Sequence, residues 1–254
     1  MALCGAVSGA PSTEATTRPT YADLRAEWQD ANADFRIRGE TECLSILGAP
    51  VMEDWESPYM AALAEVACCN GGRVLEIGFG LGISSYAIDA MNGCGSTGGG
   101  VTEHVIIEAN RVVAQTARQF AESAQVPTRV IEGFWQDAVE KLPAGEFSGI
   151  LFDVFPLQRQ EVIDGECDSF FASASRLLAP GGTFTFYFDV ADSWIATRRV
   201  FNTLTTSRLH AAGFAQVSSE ECECIPPADC EYFWKDRECH TGLQPALLCL
   251  AAAC

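Results

Sequence analysis

The chain has 254 residues, of which 34 are acidic and 16 are basic, so its formal net charge is −18. Such a charge excludes the basic surface with which proteins bind phosphate backbones or anionic lipids, and we expect no nucleic acid and no membrane among its partners. The apolar fraction of 48% suffices for a sizeable core, and we predict one folded domain over residues 21–254.

The first 20 residues are rich in Ala, Ser, Thr, Gly and Pro and lack apolar periodicity, so we predict a flexible extension over residues 1–20. The sequence has neither the charged and apolar regions of a secretory signal nor an apolar run long enough for a membrane span. We therefore expect a cytoplasmic protein, either a monomer or a homodimer.

Two helices are predicted ahead of the first clear strand. Leu24, Trp28 and Phe35 have helical spacing within residues 21–35. A second helix is expected to begin near Ser57, which can cap it, with Pro58 suited to the first turn.

Five short apolar runs then follow, most of them separated by helical stretches. They occupy residues 73–78, 104–108, 128–132, 147–153 and 182–188. A helix over residues 84–91 and a Gly-rich loop over 92–100 follow the first run. This alternation predicts an α/β fold, a mostly parallel sheet with helices on both faces. The C-terminal part, including the apolar tail 245–254, offers one or two further strands.

A glycine turn ends the first run, in the segment VLEIGFGLG over residues 74–82. Gly78, Gly80 and Gly82 allow the backbone to turn tightly near a ligand, and the following helix offers free N–H groups. The spacing G-x-G-x-G departs from the dinucleotide fingerprint G-x-G-x-x-G, because residue 83 is Ile. This departure argues against a dinucleotide oxidoreductase.

Among nucleotide-type ligands, polar and aromatic residues near the strand ends favour S-adenosylmethionine. Glu76 suits a cofactor with a cationic amino-acid arm and would repel pyrophosphate. Glu108 ends the second run, where a carboxylate can accept hydrogen bonds from both ribose hydroxyls. Trp135 and Gln136 offer an aromatic wall and a polar edge for adenine. Solvated acids and a core tryptophan are the alternative interpretations.

Cysteine is abundant, with twelve residues, and the absence of a secretory signal indicates reduced thiols. One C-terminal group has the residue types of a zinc site: Cys222, Cys224, Cys230, Cys239 and His240. Because its spacing does not resemble paired C-x-x-C motifs, we expect no metal.

Longer blocks of the sequence resemble the guanidinoacetate N-methyltransferase family. They include LSILGAPVMEDWESPYM (44–60), GILFDVFPL (149–157) and PPADCEY (226–232), and they keep their order from about residue 21 to 233. The resemblance implies the Rossmann-like, seven-stranded sheet of class I methyltransferases, doubly wound, with an N-terminal helical lid. It also implies methylation of guanidinoacetate to creatine, with S-adenosylhomocysteine as the second product.

We predict two sets of site residues. Some are predicted because they lie at strand ends, and others only because they match the family's motifs. The cofactor positions are Met52, Met60, Glu76, Gly78, Phe79, Gly80, Leu81, Gly82, Ile83, Ser84, Glu108, Ala109, Asn110, Trp135, Gln136 and Asp153. The substrate positions are Trp28, Glu56, Asp153, Phe155, Val190 and Ala191.

The chemistry of a guanidinium acceptor explains why the site would need two carboxylates. A guanidinium keeps its proton near neutral pH because its pKa is above about 12, so the attacking nitrogen needs a base. Asp153 is predicted as that base, and Glu56 as a second carboxylate that fixes the guanidinium plane through forked hydrogen bonds. The alternative for Asp153 is a turn-capping aspartate.

One segment departs from the family pattern and leaves the acceptor open. Where the family has Asn-Leu-Thr-Ser-Trp, this chain has DVADSW over residues 189–194. Asp189 and Asp192 would disfavour a substrate carboxylate and favour a neutral or cationic tail. Free arginine, protein arginine or a specialised guanidino metabolite is therefore an alternative acceptor, and a cofactor-binding protein without catalysis is an alternative of another class.

Overall fold

The computed structural model describes residues 19–93, 99–157, 166–187, 204–224, 226–227, 230 and 244–253. The N-terminal elements are helix α1 (Tyr21–Asp30), strands β1 (Ala33–Arg38), β2 (Thr41–Ile46) and β3 (Ala49–Glu53), a 3-10 turn (Asp54–Glu56) and helix α2 (Ser57–Cys68).

The remaining elements alternate strands with helices through most of their length. They are β4 (Gly72–Ile77), α3 (Ile83–Ala90), β5 (Val101–Glu108), α4 (Arg111–Ser123), β6 (Thr128–Glu132), α5 (Trp135–Ala138), a 3-10 turn (Val139–Lys141), β7 (Phe147–Phe152), α6 (Glu166–Leu177), β8 (Leu178–Tyr187), α7 (Thr206–Ala211), β9 (Phe214–Cys224) and β10 (Gln244–Ala253).

The main sheet has the strand order β6-β5-β4-β7-β8-β10-β9. Its first five strands are parallel, whereas β10 pairs antiparallel with both β8 and β9. The predicted α/β fold with a mostly parallel sheet is confirmed. The parallel part has five strands, and the predicted total of seven is reached only with the two antiparallel C-terminal strands.

Two apolar clusters cover the two faces of this sheet. On one face Val74 and Ile106 belong to a cluster with Leu63 of α2. On the other face Leu75 and Ile107 belong to a cluster with Phe170 of α6. Because neighbouring residues of a strand point to opposite faces, burial of both faces makes the central strands β4 and β7 nearly continuous apolar runs. The helices on both faces confirm the doubly wound arrangement.

The strand order reverses between β4 and β7. After β4 the chain adds β5 and β6 on one side, and it then crosses to the other side of β4 to form β7 and β8. Ligands bind at the carboxyl ends of the strands beside such a reversal. Ile77 pairs with Phe152 in the sheet, and the N–H of Asp153 donates to the Ile77 carbonyl at 3.0 Å. The glycine turn and the predicted base therefore leave the sheet side by side.

The predicted first helix was too long, and a small sheet was missed. Helix α1 ends at Asp30, and β1, β2 and β3 form a three-stranded antiparallel sheet. Phe35 lies in β1, opposite Leu44, with 41% of its surface exposed. Leu47 and Gly48 have positive φ angles of 52° and 76°, the geometry of a tight hairpin turn, which fixes the pairing of β2 with β3.

Both helices begin where they were predicted, at Tyr21 and Ser57, but the cap of the second differs from the expectation. Thr20 caps α1 through a reciprocal pair of hydrogen bonds with Asp23, so residue 20 belongs to the folded part, whereas residues 1–18 lie outside the described part. In α2 the capping position is occupied by Glu56, and the Ser57 hydroxyl bonds instead to the Asp54 carbonyl at 2.5 Å. Pro58 lies in the first turn as predicted.

Within the described part of the chain, no helix combines the length and apolar character needed to cross a membrane.

Candidate active site

The glycine turn after β4 fits closely against other parts of the protein. Gly78 has a φ of 91°, and a Cβ atom there would lie 2.0 Å from the Asp153 carbonyl oxygen. At Gly80 it would lie 2.7 Å from the Met52 sulfur, and at Gly82 2.7 Å from the Phe79 ring. The missing side chains of these glycines leave room for protein atoms, and the predicted approach of the turn to a ligand stays a prediction.

Met52, at the end of β3, covers the turn. Its sulfur lies 3.2 Å from the N–H of Leu81 and accepts a hydrogen bond from it. The structure thus brings the predicted cofactor residues Met52, Gly80 and Leu81 together. Met60, predicted beside them, is buried in the core on α2.

Glu108 joins the end of β5 to the glycine turn. Its carboxylate accepts hydrogen bonds from the N–H of Phe79 at 2.9 Å and from the N–H of Asn110 at 2.7 Å. Burial raises the pKa of this carboxyl, and hydrogen bonds from the backbone of Phe79, Asn110, Ala109 and Gly80 oppose that rise. The acid stands at the strand end, as predicted, beside the turn.

Asn110 ties helix α1 to this strand end. Its side-chain oxygen accepts from the N–H groups of Val112 and Val113, which caps α4. Its side-chain nitrogen donates to the carbonyls of Trp28 at 2.8 Å and Ala31 at 2.9 Å. One side chain therefore holds both the start of α4 and the end of α1.

Glu76 has a different role from the predicted one. It is fully buried, and its two carboxylate oxygens accept hydrogen bonds from the hydroxyls of Ser84 and Ser85 in α3. The Nε2 atom of the buried His104 lies 2.9 Å from one of these oxygens. In the structure the Glu76 carboxylate pins α3 to β4, and its contact with the cationic arm of a cofactor stays a prediction. The Ser84 side chain belongs to the same network.

Trp135 likewise lies in the core. Its ring packs edge-on against Phe152 and Phe170, and only 8% of its surface is exposed. The indole thus packs against aromatic side chains of β7 and α6, and its contact with adenine stays a prediction. Gln136 lies next to it and contacts the Tyr21 hydroxyl of α1 at 3.4 Å.

Asp153 follows β7 and is the predicted base. Burial, and then the negative charge of Glu76, raises the pKa of its carboxyl from 3.8 to about 6. Two residues later, the Phe155 ring stacks on Trp28 of α1 at 5.1 Å with an interplanar angle of 7°. The predicted substrate residues Trp28, Asp153 and Phe155 therefore lie in one region, with α1 over the loop that carries the acid.

Glu56 lies at the start of α2 and is buried. One of its oxygens accepts from the N–H of Glu53 at 2.7 Å, and the other accepts from the Tyr59 hydroxyl. The Tyr59 ring lies 5.3 Å from that of Tyr187, the last residue of β8. Because Phe152 pairs with Phe186, the next residues, Asp153 and Tyr187, leave neighbouring strands together. Glu56 is thus held at the same edge of the sheet as Asp153.

The sequence analysis missed two contributors, Tyr59 and the link from Asn110 to α1. For Tyr59 a signal existed, since residues three apart on a helix face each other and Tyr59 follows Glu56 by three. The link from Asn110 had no local signal, because its partners lie about 80 residues earlier in the chain.

Some predicted residues lie outside the described part: Val190, Ala191, Asp189, Asp192, Cys239 and His240. Among the described residues, no group of three or more His, Cys, Asp or Glu side chains has the arrangement of a metal site. Burial raises the pKa of the Cys224 thiol to about 12, which keeps that thiol protonated.

The remaining cofactor positions suit S-adenosylmethionine. Glu108 offers a carboxylate at the end of β5, Met52 and the backbone of the turn lie beside it, and α1 covers the same edge. An acid at this strand end suits a ribose, and the turn suits the amino-acid arm that continues from it.

Comparison with known proteins supports the same assignment. A family model described as guanidinoacetate N-methyltransferase matches residues 19–243. Protein arginine N-methyltransferase 2 of Saccharomyces cerevisiae is 29% identical over 145 residues, which are 54% of this chain and 32% of that protein. The protein of the same name from Yarrowia lipolytica is 28% identical over 145 residues, 54% of this chain and 28% of that protein. The chain thus spans a third or less of these curated relatives.

Solved structures share the fold at low sequence identity. Spermidine synthase from Thermotoga maritima has a TM-score of 0.59 and 15% identity, with 88% of this chain and 69% of that chain covered. TYW2 of M. jannaschii, solved in complex with AdoMet, has a TM-score of 0.50 and 10% identity, with 87% of this chain and 85% of that chain covered. The solved structures show the fold, and the family model covers most of the chain: the chain belongs to the guanidinoacetate N-methyltransferase family, whose cofactor is S-adenosylmethionine.

Proposed function

We propose that the protein transfers the methyl group of S-adenosylmethionine to a guanidino nitrogen, and that the acceptor is guanidinoacetate. The observation that carries this proposal is Asp153, a carboxyl with a raised pKa of about 6 that leaves the sheet beside the glycine turn. Such a group is ionised near neutral pH and is a stronger base than an ordinary aspartate.

The proton balance of the reaction defines what Asp153 does. A guanidinium has no free lone pair on nitrogen, so a proton must leave as the nitrogen attacks the methyl carbon. The nitrogen–carbon bond forms, the carbon–sulfur bond breaks, and the sulfonium becomes a neutral thioether. The proton passes to the Asp153 carboxylate and then to solvent. Guanidinoacetate becomes creatine, and the cofactor becomes S-adenosylhomocysteine.

Glu56 supplies the second carboxylate of the acceptor site. A guanidinium donates two parallel hydrogen bonds to a carboxylate, which fixes its plane as well as its position. With Asp153 on the loop after β7 and Glu56 at the start of α2, the two acids can hold different edges of one guanidinium. This arrangement directs one nitrogen towards the methyl group.

Other residues of the chain would bind the cofactor and shield it from water. Glu108 can hold ribose hydroxyls, and Met52 covers the turn. Helix α1, held by Asn110 and by the stacking of Trp28 on Phe155, excludes water from the edge of the sheet. Alignment of acceptor and methyl group in such a site lowers the barrier by roughly 7–11 kcal/mol.

An arginine-type acceptor is the second candidate. The matching curated relatives are both protein arginine N-methyltransferases, and Asp189 and Asp192 would disfavour the carboxylate of guanidinoacetate. Both candidates require Asp153 as base, so the acceptor alone distinguishes them.

A panel of acceptors tests the proposal. The purified protein is incubated with S-adenosylmethionine and guanidinoacetate, free arginine or an arginine-containing peptide, and products are followed by mass spectrometry. We expect one added methyl group on guanidinoacetate, and no product with Asp153→Asn. Methylation of arginine alone would replace the first candidate with the second. Should no guanidine gain a methyl group while calorimetry shows S-adenosylhomocysteine binding, the protein would be a cofactor binder without this activity.

A further inference from the structure

Three ionisable side chains share one face of the main sheet, each on a neighbouring strand. In the sheet register, His104 of β5 pairs with Val74, which lies two residues before Glu76 in β4. Glu76 pairs with Leu151 of β7, which lies two residues before Asp153. Because alternate residues of a strand point to the same face, His104, Glu76 and Asp153 form a diagonal row across β5, β4 and the end of β7.

Sheet geometry sets the spacing within this diagonal row. Neighbouring strands lie about 4.8 Å apart and two residues rise about 6.6 Å along a strand, so each diagonal step spans about 8 Å between Cα atoms. The N–H of Asp153 donates to the Ile77 carbonyl at 3.0 Å, so the pairing of β4 with β7 continues as far as this acid. Glu76 is fully buried, whereas Asp153 is partly exposed. Asp153 is therefore the acid that an acceptor can reach, and Glu76 lies behind it.

The Glu76 carboxylate is fixed by three polar groups. The hydroxyls of Ser84 and Ser85 donate one hydrogen bond to each of its oxygens. The Nε2 atom of His104 lies 2.9 Å from one oxygen, and a nitrogen this close to a carboxylate must carry the ring hydrogen. A second hydrogen, on Nδ1, would be a buried donor with no partner among the described residues. We therefore assign a neutral imidazole to His104 and a negative charge to Glu76.

The other elements around Glu76 bring no charge that would cancel it. From α2, Cys68 faces it, and burial, followed by the charge of Glu76, raises the pKa of that thiol to about 12, so the thiol stays neutral. In the part of the chain that the structure describes, no Lys or Arg forms an ion pair with Glu76. Asp153 and Glu56 are the acids at the edge of the sheet beyond it. The charge of Glu76 therefore acts on Asp153 without a compensating cation.

We propose that Glu76 is a positioning residue of the reaction, whose fixed negative charge behind Asp153 makes the Asp153 carboxylate a stronger base towards the acceptor. The inference rests on the proposed function, because it takes Asp153 as the base. A negative charge beside a carboxylate favours uptake of a proton, and burial together with this charge raises the pKa of Asp153 to about 6. In this role Glu76 needs no contact with the acceptor and acts through Asp153.

Removal of the charge alone tests the inference. Glu76→Gln keeps the shape of the side chain, and kcat/KM for guanidinoacetate is measured between pH 4.5 and pH 9. We expect the acid limb of the profile to lie about 0.5–1.5 lower in pH than in the wild type. The plateau should fall less than about tenfold, because the base is weaker. A purely structural role would lower the plateau and leave the acid limb in place, and that result would overturn the inference.

Two further variants serve as controls for the profile. Glu76→Asp keeps the negative charge, so we expect its acid limb to stay at the wild-type pH. Asp89→Asn removes a carboxylate of α3 that accepts from the N–H of Val126 at 2.8 Å, on the far side of the helix from the turn in sequence. Its acid limb should also stay at the wild-type pH. A limb that moves equally in Asp89→Asn and Glu76→Gln would reduce the effect to net charge and overturn the inference.

A stability cycle tests the same coupling without substrate. Asp153→Asn should stabilise the wild type at pH 8, because it removes an ionised acid that Glu76 repels. In a Glu76→Gln background we expect a smaller gain in urea unfolding, and equal gains in both backgrounds would overturn the inference. If Glu76→Gln does not fold, His104→Phe decides, since it keeps the edge-on ring contact with Phe120 but removes the N–H that faces Glu76. We expect an acid limb at lower pH there, and an unmoved limb would overturn the inference.

The two proposals fail in different ways. An inactive Asp153→Asn together with an unmoved acid limb in Glu76→Gln would overturn the role of Glu76 alone. Full activity of Asp153→Asn, or a wild-type protein that methylates no guanidine, would overturn the proposed function and this inference with it.

Discussion

At the scale of single residues, the environment of each acid decides its role. Three acids near the glycine turn look alike in sequence, yet the structure gives them different partners. The Glu76 carboxylate is surrounded by two serine hydroxyls and a histidine, and the Glu108 carboxylate accepts from backbone N–H groups. The Asp153 carboxyl is instead affected by burial and by the negative charge of Glu76. The sequence predicted that Asp153 follows β7, but it could not distinguish Glu76 from a ligand-binding acid. The partners of Glu76 come from α3 and β5, and only the folded chain brings them together.

The raised pKa of Asp153 predicts the pH dependence of activity. The carboxyl can take a proton from the acceptor only when it is ionised, which requires a pH above about 6. We expect kcat/KM for the accepted guanidine to rise with pH through this value and then level off. A rate profile between pH 5 and pH 9 measures it, and an acid limb centred near pH 4 would contradict the assignment.

The raised pKa of Asp153 also predicts that its ionised carboxylate destabilises the folded protein. Between pH 3.8 and about 6 the unfolded chain has an ionised Asp153 whereas the folded chain keeps the proton. The free energy of unfolding therefore falls as pH rises through this interval, and the full cost applies above it. We expect Asp153→Asn to be more stable than the wild type at pH 8 by about 1–3 kcal/mol, with a smaller gain at pH 5. Urea unfolding at both pH values tests this, and an equal gain at both would exclude a titration effect.

At the scale of elements, regular apolar runs were predictable and short polar strands were not. Four of the five parallel strands, β4, β5, β7 and β8, appear in the sequence as apolar runs because they are mostly buried on both faces, whereas β6 at the edge is half-exposed. Strand β1 is mostly exposed, and its Phe35 lies seven residues after Trp28, which is a helical spacing. The stability of β1 to β3 comes from cross-strand pairs such as Phe35 with Leu44, which a local pattern does not contain.

Helix α1 provides a prediction at this scale, because one side chain secures it. Asn110→Asp keeps the oxygen that caps α4 but replaces the donor to the Trp28 and Ala31 carbonyls with a second acceptor. We expect a lower melting temperature, because the new carboxylate is buried against two carbonyl oxygens, together with faster limited proteolysis at Arg25 and weaker cofactor binding. Asn110→Ala loses the cap as well and should cost about 0.5–2 kcal/mol of stability. Unchanged proteolysis of both variants would mean that α1 is held by other contacts.

At the scale of the whole molecule, the net charge of −18 sets the response to salt. Excess negative charge repels itself in the compact state, and salt screens this repulsion over a Debye length of about 10 Å at 0.1 M. We expect the melting temperature at pH 8 to rise as NaCl is raised from 20 to 300 mM. The rise should be smaller at pH 5, where fewer carboxyls are ionised. A thermal scan series measures both, and a melting temperature that falls with salt would show that ion pairs such as Arg38 with Glu53 outweigh the repulsion.

The contact between Gly78 and the Asp153 carbonyl means that substitutions in the glycine turn also affect the loop that carries Asp153. Any side chain at residue 78 would collide with that oxygen, so a change in the glycine turn would displace Asp153, which we propose as the base. We therefore expect residue 78 to tolerate no residue other than glycine, because a side chain there would displace the loop that carries Asp153. A mutant library designed to change the acceptor should leave this glycine fixed and vary the residues around Glu56 instead.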